Sequence, residues 1–561
     1  MTEYPSWPNL AAMMFDRARL WPDRNMLRFH HDGAWHGVTW GGFARAAASA
    51  ARFLAAAGIV HGDRVVICAL NRPEYPIAET ALMALGAVPV PAYVTNTEAD
   101  HAHILRDCGA RAAIAGSAKL AATLRVAAGP AGLDLLVVMD DPPEDTCPWS
   151  ALVADPAPPD DIAAAAAAHP PETLAALIYT SGTGGAPRGV MLPHRAILSN
   201  CRGAAALVAP LRLGAGDLYL SFLPLAHSYE HTVGQFFLPS LGVEIAYARG
   251  VEHLAADLLA TRPTVLATVP RVLEAVRGRV LGQVARAAPW RQLLFRLALD
   301  AGLARLDGVP PALLARLADP LLDRLVRAQV RARFGGRIKT AMSGGARLEP
   351  EVGRFFLALG LPVMQGYGQT EAGPVISANP PGAIRIDSVG RALDGVALRL
   401  AEDGEILVRG DLVMAGYWGR PEDTAAVIRD GWLHTGDIGT LDAAGYLRIT
   451  DRKKDMIVLS GGENVSPARI EGMLIAEPEI AQAVVAGDGR AGLAALVVPR
   501  EGHDAIGVAL AITRANMRLS VTERIRRHAV VPAFTIENGL LTPSHKVRRL
   551  LVLRAHGDAL G

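Results

Sequence analysis

Neither sign of charge dominates this chain. Across its 561 residues, 56 Lys and Arg face 55 Asp and Glu, a formal net charge of +1. A chain so balanced carries no overall electrostatic footprint for nucleic acid, and only a local basic patch stays open. Cysteine is scarce as well. Cys68, Cys108, Cys147 and Cys201 lie far apart, with neither the C-x-x-C spacing of a zinc site nor the dense framework of a secreted disulfide scaffold. Reduced thiols in a cytosol are expected. Apolar runs of about 18 residues, long enough to cross a bilayer, are missing. The first residues, MTEYPSWPNLAAMMFDRARLWPDR, lack a basic segment followed by an unbroken apolar stretch. The expectation is a protein that is cytoplasmic, or at most peripheral at the inner membrane surface. No short-period internal repeat is found.

What the chain has is length and alternation. At 51 % hydrophobic and 20 % charged residues it is globular in composition, and its size exceeds the roughly 150 residues of one ordinary domain. Residues 40–57, WGGFARAAASAARFLAAA, predict a helix stopped by Gly58, and HGDRVVICAL gives a turn and a buried strand. The pattern repeats through PEYPIAETALMALGAVPVPAY, HILRDCGARAAIAG and LAALIYT, so the first 200 or so residues read as doubly wound α/β units with parallel strands. Residues 277–335 differ, forming an amphipathic helical insertion in which eleven arginines stand against four aspartates between Arg277 and Arg333. That insertion is either a solvated segment packed on the core or a basic face for an anionic membrane or a phosphorylated ligand. From Val389 to Ile449 glycine punctuation and hairpin signals predict a small antiparallel barrel or sheet. A domain boundary near residues 451–454 divides the chain into 1–452 and 453–561.

One stretch stands out, YTSGTGGAPRGV from Tyr179 to Val190. Loops poor in side chains and rich in hydroxyls suit an oxyanion, because backbone N–H groups converge on it unobstructed. It is not a Walker A loop, which places lysine directly after its last glycine; here Gly185 is followed by Ala186, Pro187 and Arg188. It follows the strand LAALIY and precedes a helix expected near His194, the place where open α/β sheets bind ligands.

Further segments join it: SGGA (residues 343–346), GYGQTE (366–371), HTGD ending at Asp437, DRKKD from Asp451, and NGLLTPSHKVRR with Lys546. In this order and spacing the chain resembles the adenylate-forming superfamily of acyl-CoA synthetases, peptide-synthetase adenylation domains and firefly luciferase. LPLAHSYEHTVGQ, RPTVLATVPRVLEAV and SGGARLEPEVGRFF make it most similar to bacterial long-chain fatty acyl-CoA synthetases. The resemblance implies an α/β protein. Its large N-terminal domain would comprise two doubly wound subdomains and a small β-barrel-like subdomain, followed by a small mobile α+β C-terminal domain.

It also implies a two-step reaction. ATP converts a fatty acid to acyl-AMP with loss of pyrophosphate, and CoA thiolate then displaces AMP. Alternatives from the same resemblance are an acyl-AMP ligase that loads a carrier protein and a catalytically weakened homologue that binds nucleotide or acyl ligand. The chemistry brings one anion onto another, so fixed positive charge and converging donors are required.

Carried onto this sequence, the family pattern assigns the β- and γ-phosphates to Thr180, Ser181, Gly182, Thr183, Gly184, Gly185 and Arg188. The family prefers Thr or Ser at Gly184 and Lys at Arg188. Gly344, Gly345 and Ala346 would line adenine and Tyr367 would flank it, with Gln369 in the same set. Thr370 would meet the α-phosphate and Glu371 would hold Mg2+. Asp437 and Arg452 would take the ribose, and His227 would lie near the acyl carboxylate. Lys546 would bridge carboxylate and α-phosphate in the transition state. Lys454 matches the hinge, and Gly461 and Gly462 match the loop that presents CoA. Glu230 is expected to be a structural partner. Fatty acid, ATP and CoA are the expected partners, with no nucleic acid.

Overall fold

A computed structural model describes residues 4–180, 186–461, 463–542 and 546–560. Alternation in the sequence becomes a five-stranded, all-parallel sheet in the order Val88–Pro91, Arg64–Cys68, Ala112–Ala115, Leu135–Val138 and Cys147–Pro148. These strands are short and almost wholly apolar, as expected of strands covered on both faces. The helix Trp40–Ala56 packs on one side, its N-terminus capped by the Thr39 hydroxyl accepting from the Gly42 N–H. Its small face of Ala47, Ala48, Ala50 and Ala51 is fully buried. Fully buried Trp40 and Phe43 anchor it at about 2–3 kcal/mol each.

The second sheet has nine strands. Its centre is parallel and runs Val363–Gly368, Thr340–Ser343, Val265–Thr268, Leu218–Ser221, Glu244–Tyr247, Asn25–His31. Antiparallel strands finish both edges, Ala34–Thr39 at one and Val375–Ala378 with Arg391–Ala392 at the other. The two sheets are therefore not consecutive in the chain, since the N-terminal hairpin belongs to the second.

The helical insertion begins at Pro270–Ala285 and continues through Pro289–Leu306 to Ala328–Ala332. It packs on the second sheet through Phe295, Ala298, Leu322, Val326 and Phe334, with Phe334 edge-on to Phe356 at 6.1 Å between ring centres. The β-rich segment is an antiparallel sheet of Ala397–Leu400, Glu405–Arg409, Trp432–Leu441 and Ile428–Arg429, with Leu447–Arg452 also paired to Trp432–Leu441. Beyond it lies a smaller α+β unit. There the strands Ile480–Ala486, Leu493–Pro499 and Ile525–Val530 carry the helices Pro467–Ile475 and Ala505–Met517 on a separate core that includes Ile470, Leu474, Val497 and Ala511. Among the described residues no helix is long and apolar enough to cross a membrane.

One expectation is corrected. The helix begins at His194 as expected, but the strand LAALIYT does not join a parallel sheet. Arg188–Pro193 is a strand paired antiparallel with Leu174–Thr180, from Thr180 opposite Arg188 to Leu174 opposite Pro193. The helix His194–Val208 starts only after it. The loop is thus the tip of a hairpin, extended to three strands by Gly416–Tyr417. Apolar Val190 and Leu192 are both fully buried in the main core, which favours strand pairing there.

Candidate active site

Three ends of structure converge on one cleft: the strand ends Thr180 and Arg188 of this hairpin, the C-terminal ends of parallel strands in the second sheet, and the edge of the antiparallel sheet that carries Asp437 and Arg452. Of the loop expected to grip phosphate, Ser181, Gly182, Thr183, Gly184 and Gly185 lie outside the described residues, as does Gly462. Thr180 and Arg188 face each other where the hairpin begins to open. The Arg188 guanidinium lies 4.2 Å from the centre of the Tyr417 ring and 3.7 Å from Asp423. Tyr417 in turn donates its hydroxyl to Glu371 Oε1 at 2.9 Å.

Glu371 is the middle residue of a short 3-10 turn, Thr370–Ala372, which follows the strand Val363–Gly368 after Gln369. Its second carboxylate oxygen accepts no bond among the described residues. Thr370 shares a hydrogen bond with Ser228 at 2.9 Å. Gln369 Nε2 and Ser343 Oγ are buried without partners, and a buried polar atom so placed calls for a ligand or water. After the strand Thr340–Ser343 come Gly344, Gly345 and Ala346. Gly345 has φ +79°, where a side chain would be strained, and a Cβ on Gly344 would lie 3.3 Å from the Tyr229 ring. The bare backbone leaves this wall flat.

On the opposite wall the register of two strands sets Asp437 against Arg452. Asp437, only 4 % exposed, accepts from Arg452 Nε at 3.1 Å and from the Tyr367 hydroxyl at 2.6 Å. Burial, then the charge and hydrogen bond of Asp437, push the Tyr367 phenol well above its ordinary pKa, so it stays a donor. These three side chains come from separate segments and meet as one group.

Lys546 completes the cleft. Its backbone is tied to Thr542: its N–H donates to Thr542 Oγ1 at 3.0 Å and its carbonyl accepts from the Thr542 N–H at 2.8 Å. Enclosure by the surrounding protein lowers the pKa of the ammonium, Arg452 lowers it further, and Asp437 and Glu371 oppose the shift. The residue keeps solvent-accessible surface, as a side chain reaching into an open cleft does.

His227 caps the helix Ser228–Thr232, its Nδ1 accepting from the Tyr229 N–H at 3.2 Å. That bond assigns the ring proton to Nε2. Burial, with the charge of Lys546 second, holds the imidazole down to about 4, so it is neutral near pH 7. Glu230 is a structural group, as expected. Fully buried, it accepts from Tyr219 at 2.5 Å and from Ser221 at 2.6 Å. Burial raises its carboxyl to about 7 despite both donors.

Lys454 and Gly461 are exposed, and neither forms a hydrogen bond or ion pair with the cleft groups among the described residues. Two participants were missed in the sequence, Tyr417 and Ser228. Each lies in a stretch with no catalytic signature of its own, MAGYW and LAHSYEH, and only folding brings Tyr417 to Glu371 and Ser228 to Thr370.

Residues 14–418 match the family described as AMP-binding enzyme, and residues 454–558 match the AMP-binding enzyme C-terminal domain. The chain is 34 % identical to the long-chain-fatty-acid–CoA ligase FadD15 of Mycobacterium bovis, over 97 % of this chain and 95 % of that protein. It is 30 % identical to the peroxisomal long chain acyl-CoA synthetase 6 of Arabidopsis thaliana, over 90 % of this chain and 78 % of the relative. In fold it is similar to the crystal structure of the anthranilate CoA ligase AuaEII in complex with anthranoyl-AMP, with a TM-score of 0.77, 20 % identity and 99 % of each chain covered.

Proposed function

The chain belongs to the AMP-binding enzyme family, and from that premise we propose that it is an AMP-forming acid–thiol ligase. It activates a fatty acid as acyl-AMP and transfers the acyl group to CoA. The observation that carries this reading is the position of the Lys546 ammonium, within electrostatic reach of Glu371, Asp437, Arg452 and His227 at once. A carboxylate is a poor electrophile, and its attack on an α-phosphate sets two anions against each other. A cation at their junction offsets that repulsion most where charge develops.

Each wall has its task. Asp437, held by Tyr367 and Arg452, presents a fixed ionised acceptor for the ribose hydroxyls. Gly344, Gly345 and Ala346 leave room for a flat adenine beside Tyr367. Thr370, oriented by Ser228, offers a hydroxyl to the α-phosphate, and Arg188 with Thr180 marks the polyphosphate end. Neutral His227 turns its Nε2–H toward the carboxylate. The donor set fits magnesium, because the free oxygen of Glu371 is a hard anionic ligand and a hard cation of this size takes few protein oxygens. When bound there, Mg2+ offsets charge on the triphosphate.

The second step asks for a different arrangement, since exposed Gly461 makes no hydrogen bond with the cleft groups among the described residues. We assign residues 1–452 and 453–561 to two bodies that rotate at Lys454, exchanging Lys546 for the face that carries Gly461 and Gly462.

The test is purified protein with Mg·ATP and a panel of C2 to C18 and aryl acids, read first by pyrophosphate release and then by thioester formed with CoA or with a holo-carrier protein. Release with long-chain acids and CoA-dependent thioester are expected. No pyrophosphate with any acid would end the reading, and thioester with the carrier alone would replace CoA as the acceptor.

A further inference from the structure

Among the described residues the helical insertion makes no hydrogen bond or ion pair with the cleft groups, and its outer surface carries a row of exposed leucines. Leu313, Leu317, Leu321 and Leu325 recur every fourth residue through three short helical segments, Leu313–Leu317, Asp319–Leu322 and Asp323–Arg327, and are 70, 73, 52 and 38 % exposed. Spacing of four along a helix places them on one face. The inner face is occupied by Ala315, Leu322, Val326 and Val330, all packed in the core, so the outer leucines are surplus to folding.

Charge is sorted in the same way. Asp319 is bound by Arg305 and Arg327, Asp323 by Arg331 at 2.8 Å, and Asp307 by Arg354 at 2.7 Å. These bridges use up three of the four aspartates between Arg277 and Arg333. By contrast the exposed Arg279, Arg286, Arg291, Arg296, Arg316 and Arg324 have no ion pair among the described residues. Arg316 and Arg324 lie within the leucine ladder itself, and Arg291 sits beside exposed Trp290 on the neighbouring helix. The internal bridges thus leave a net positive, leucine-bearing exterior.

We propose that this face, centred on residues 313–325, docks on an anionic lipid bilayer. An amphipathic helix with leucines on its outer side and arginines between them meets both requirements of such a surface, apolar depth and anionic headgroups. A second copy of the chain would have to offer an acidic apolar face to the same residues. The surface stands on its own geometry; only its purpose, access to acids dissolved in the membrane, rests on the proposed activity.

The test is sedimentation of the full chain, without substrate, with vesicles of phosphatidylcholine alone or with 30 % phosphatidylglycerol. Binding to the anionic vesicles, weakened at least about tenfold by 0.5 M NaCl, is expected. Leu313→Glu/Leu317→Glu and Arg316→Glu/Arg324→Glu should each weaken it at least about tenfold, while circular dichroism and thermal unfolding stay at those of the parent protein. Equal sedimentation of parent and both variants, or none by the parent protein, would overturn the proposal. So would a parent dimer in light scattering that the leucine variant dissolves without any vesicle binding. Pyrophosphate exchange with a soluble acid is scored separately, so loss of membrane binding and loss of the proposed activity are distinguishable.

Discussion

The two walls of the cleft are built on opposite principles. On one side Asp437, Tyr367 and Arg452 satisfy one another through strand register, with Asp437 in place before any nucleotide arrives. On the other, the charge that completes the site belongs to Lys546 of the smaller unit, tied at its backbone to Thr542, and its ammonium is enclosed by groups of the larger one. The fixed wall can only bind. In the proposed function the delivered charge acts in one half-reaction and leaves for the next, as a two-step transfer through a single cleft requires.

Removing the delivered charge should have the largest effect. Lys546→Ala is expected to slow acid-dependent pyrophosphate exchange by about 10²–10³ while thioester formation from supplied acyl-AMP stays near the parent rate; equal loss in both would erase the distinction between the walls. The same residue sets a pH limit. Because its pKa is lowered and the cationic form is the active one, exchange should decline as pH rises through a value below the ordinary lysine pKa of about 10.4. Lys546→Arg should remove that limb.

Freezing delivery comes next. Lys454→Pro, at an exposed position, fixes φ at the expected pivot and should confine the protein to one half-reaction, giving about one acyl-AMP per enzyme without turnover. Steady multiple turnover to thioester would move the pivot elsewhere.

A smaller change is expected on the fixed side. Tyr417→Phe deletes the 2.9 Å hydrogen bond to Glu371 and should raise the magnesium concentration for half-maximal exchange by roughly tenfold, the equivalent of about 1.4 kcal/mol for a bond to a charged group. An unchanged magnesium titration would detach Tyr417 from the site.

The smallest effect concerns the foundation beneath His227. Glu230 is raised to about 7, so between its unfolded pKa of about 4.3 and 7 the native state binds more protons than the unfolded one. Its contribution to stability is full below pH 4 and falls as pH rises toward 7. Glu230→Gln should flatten the decline in melting temperature between pH 5 and 8 by about 1–3 °C; identical profiles would mean the carboxyl does not titrate there.

Fold and site were legible to different depths. The parallel units before residue 150 could be read because each helix and strand announces itself through local period and glycine stops. The N-terminal hairpin could not be assigned to the second sheet, because its pairing of Leu27 with Ile245 joins segments far apart in the chain. Leu174–Thr180 reads as one more parallel strand, yet it pairs antiparallel with Arg188–Pro193, because a short apolar run does not record the direction of its partner. Arg188 appeared in sequence as a departure from lysine. In the fold its planar cation rests on the Tyr417 ring, a contact suited to a guanidinium.

The sequence by itself determined which chemistry-bearing groups exist and in what order, because hydroxyls, carboxylates and a late lysine at fixed spacings are local facts. Tertiary structure alone decided which of them touch, how Asp437 is shared between Tyr367 and Arg452, and that Lys546 stands in the cleft. Those outcomes depend on strand register and on the docking of the smaller unit. Both are set by the burial of surfaces hundreds of residues apart, and no local pattern records them.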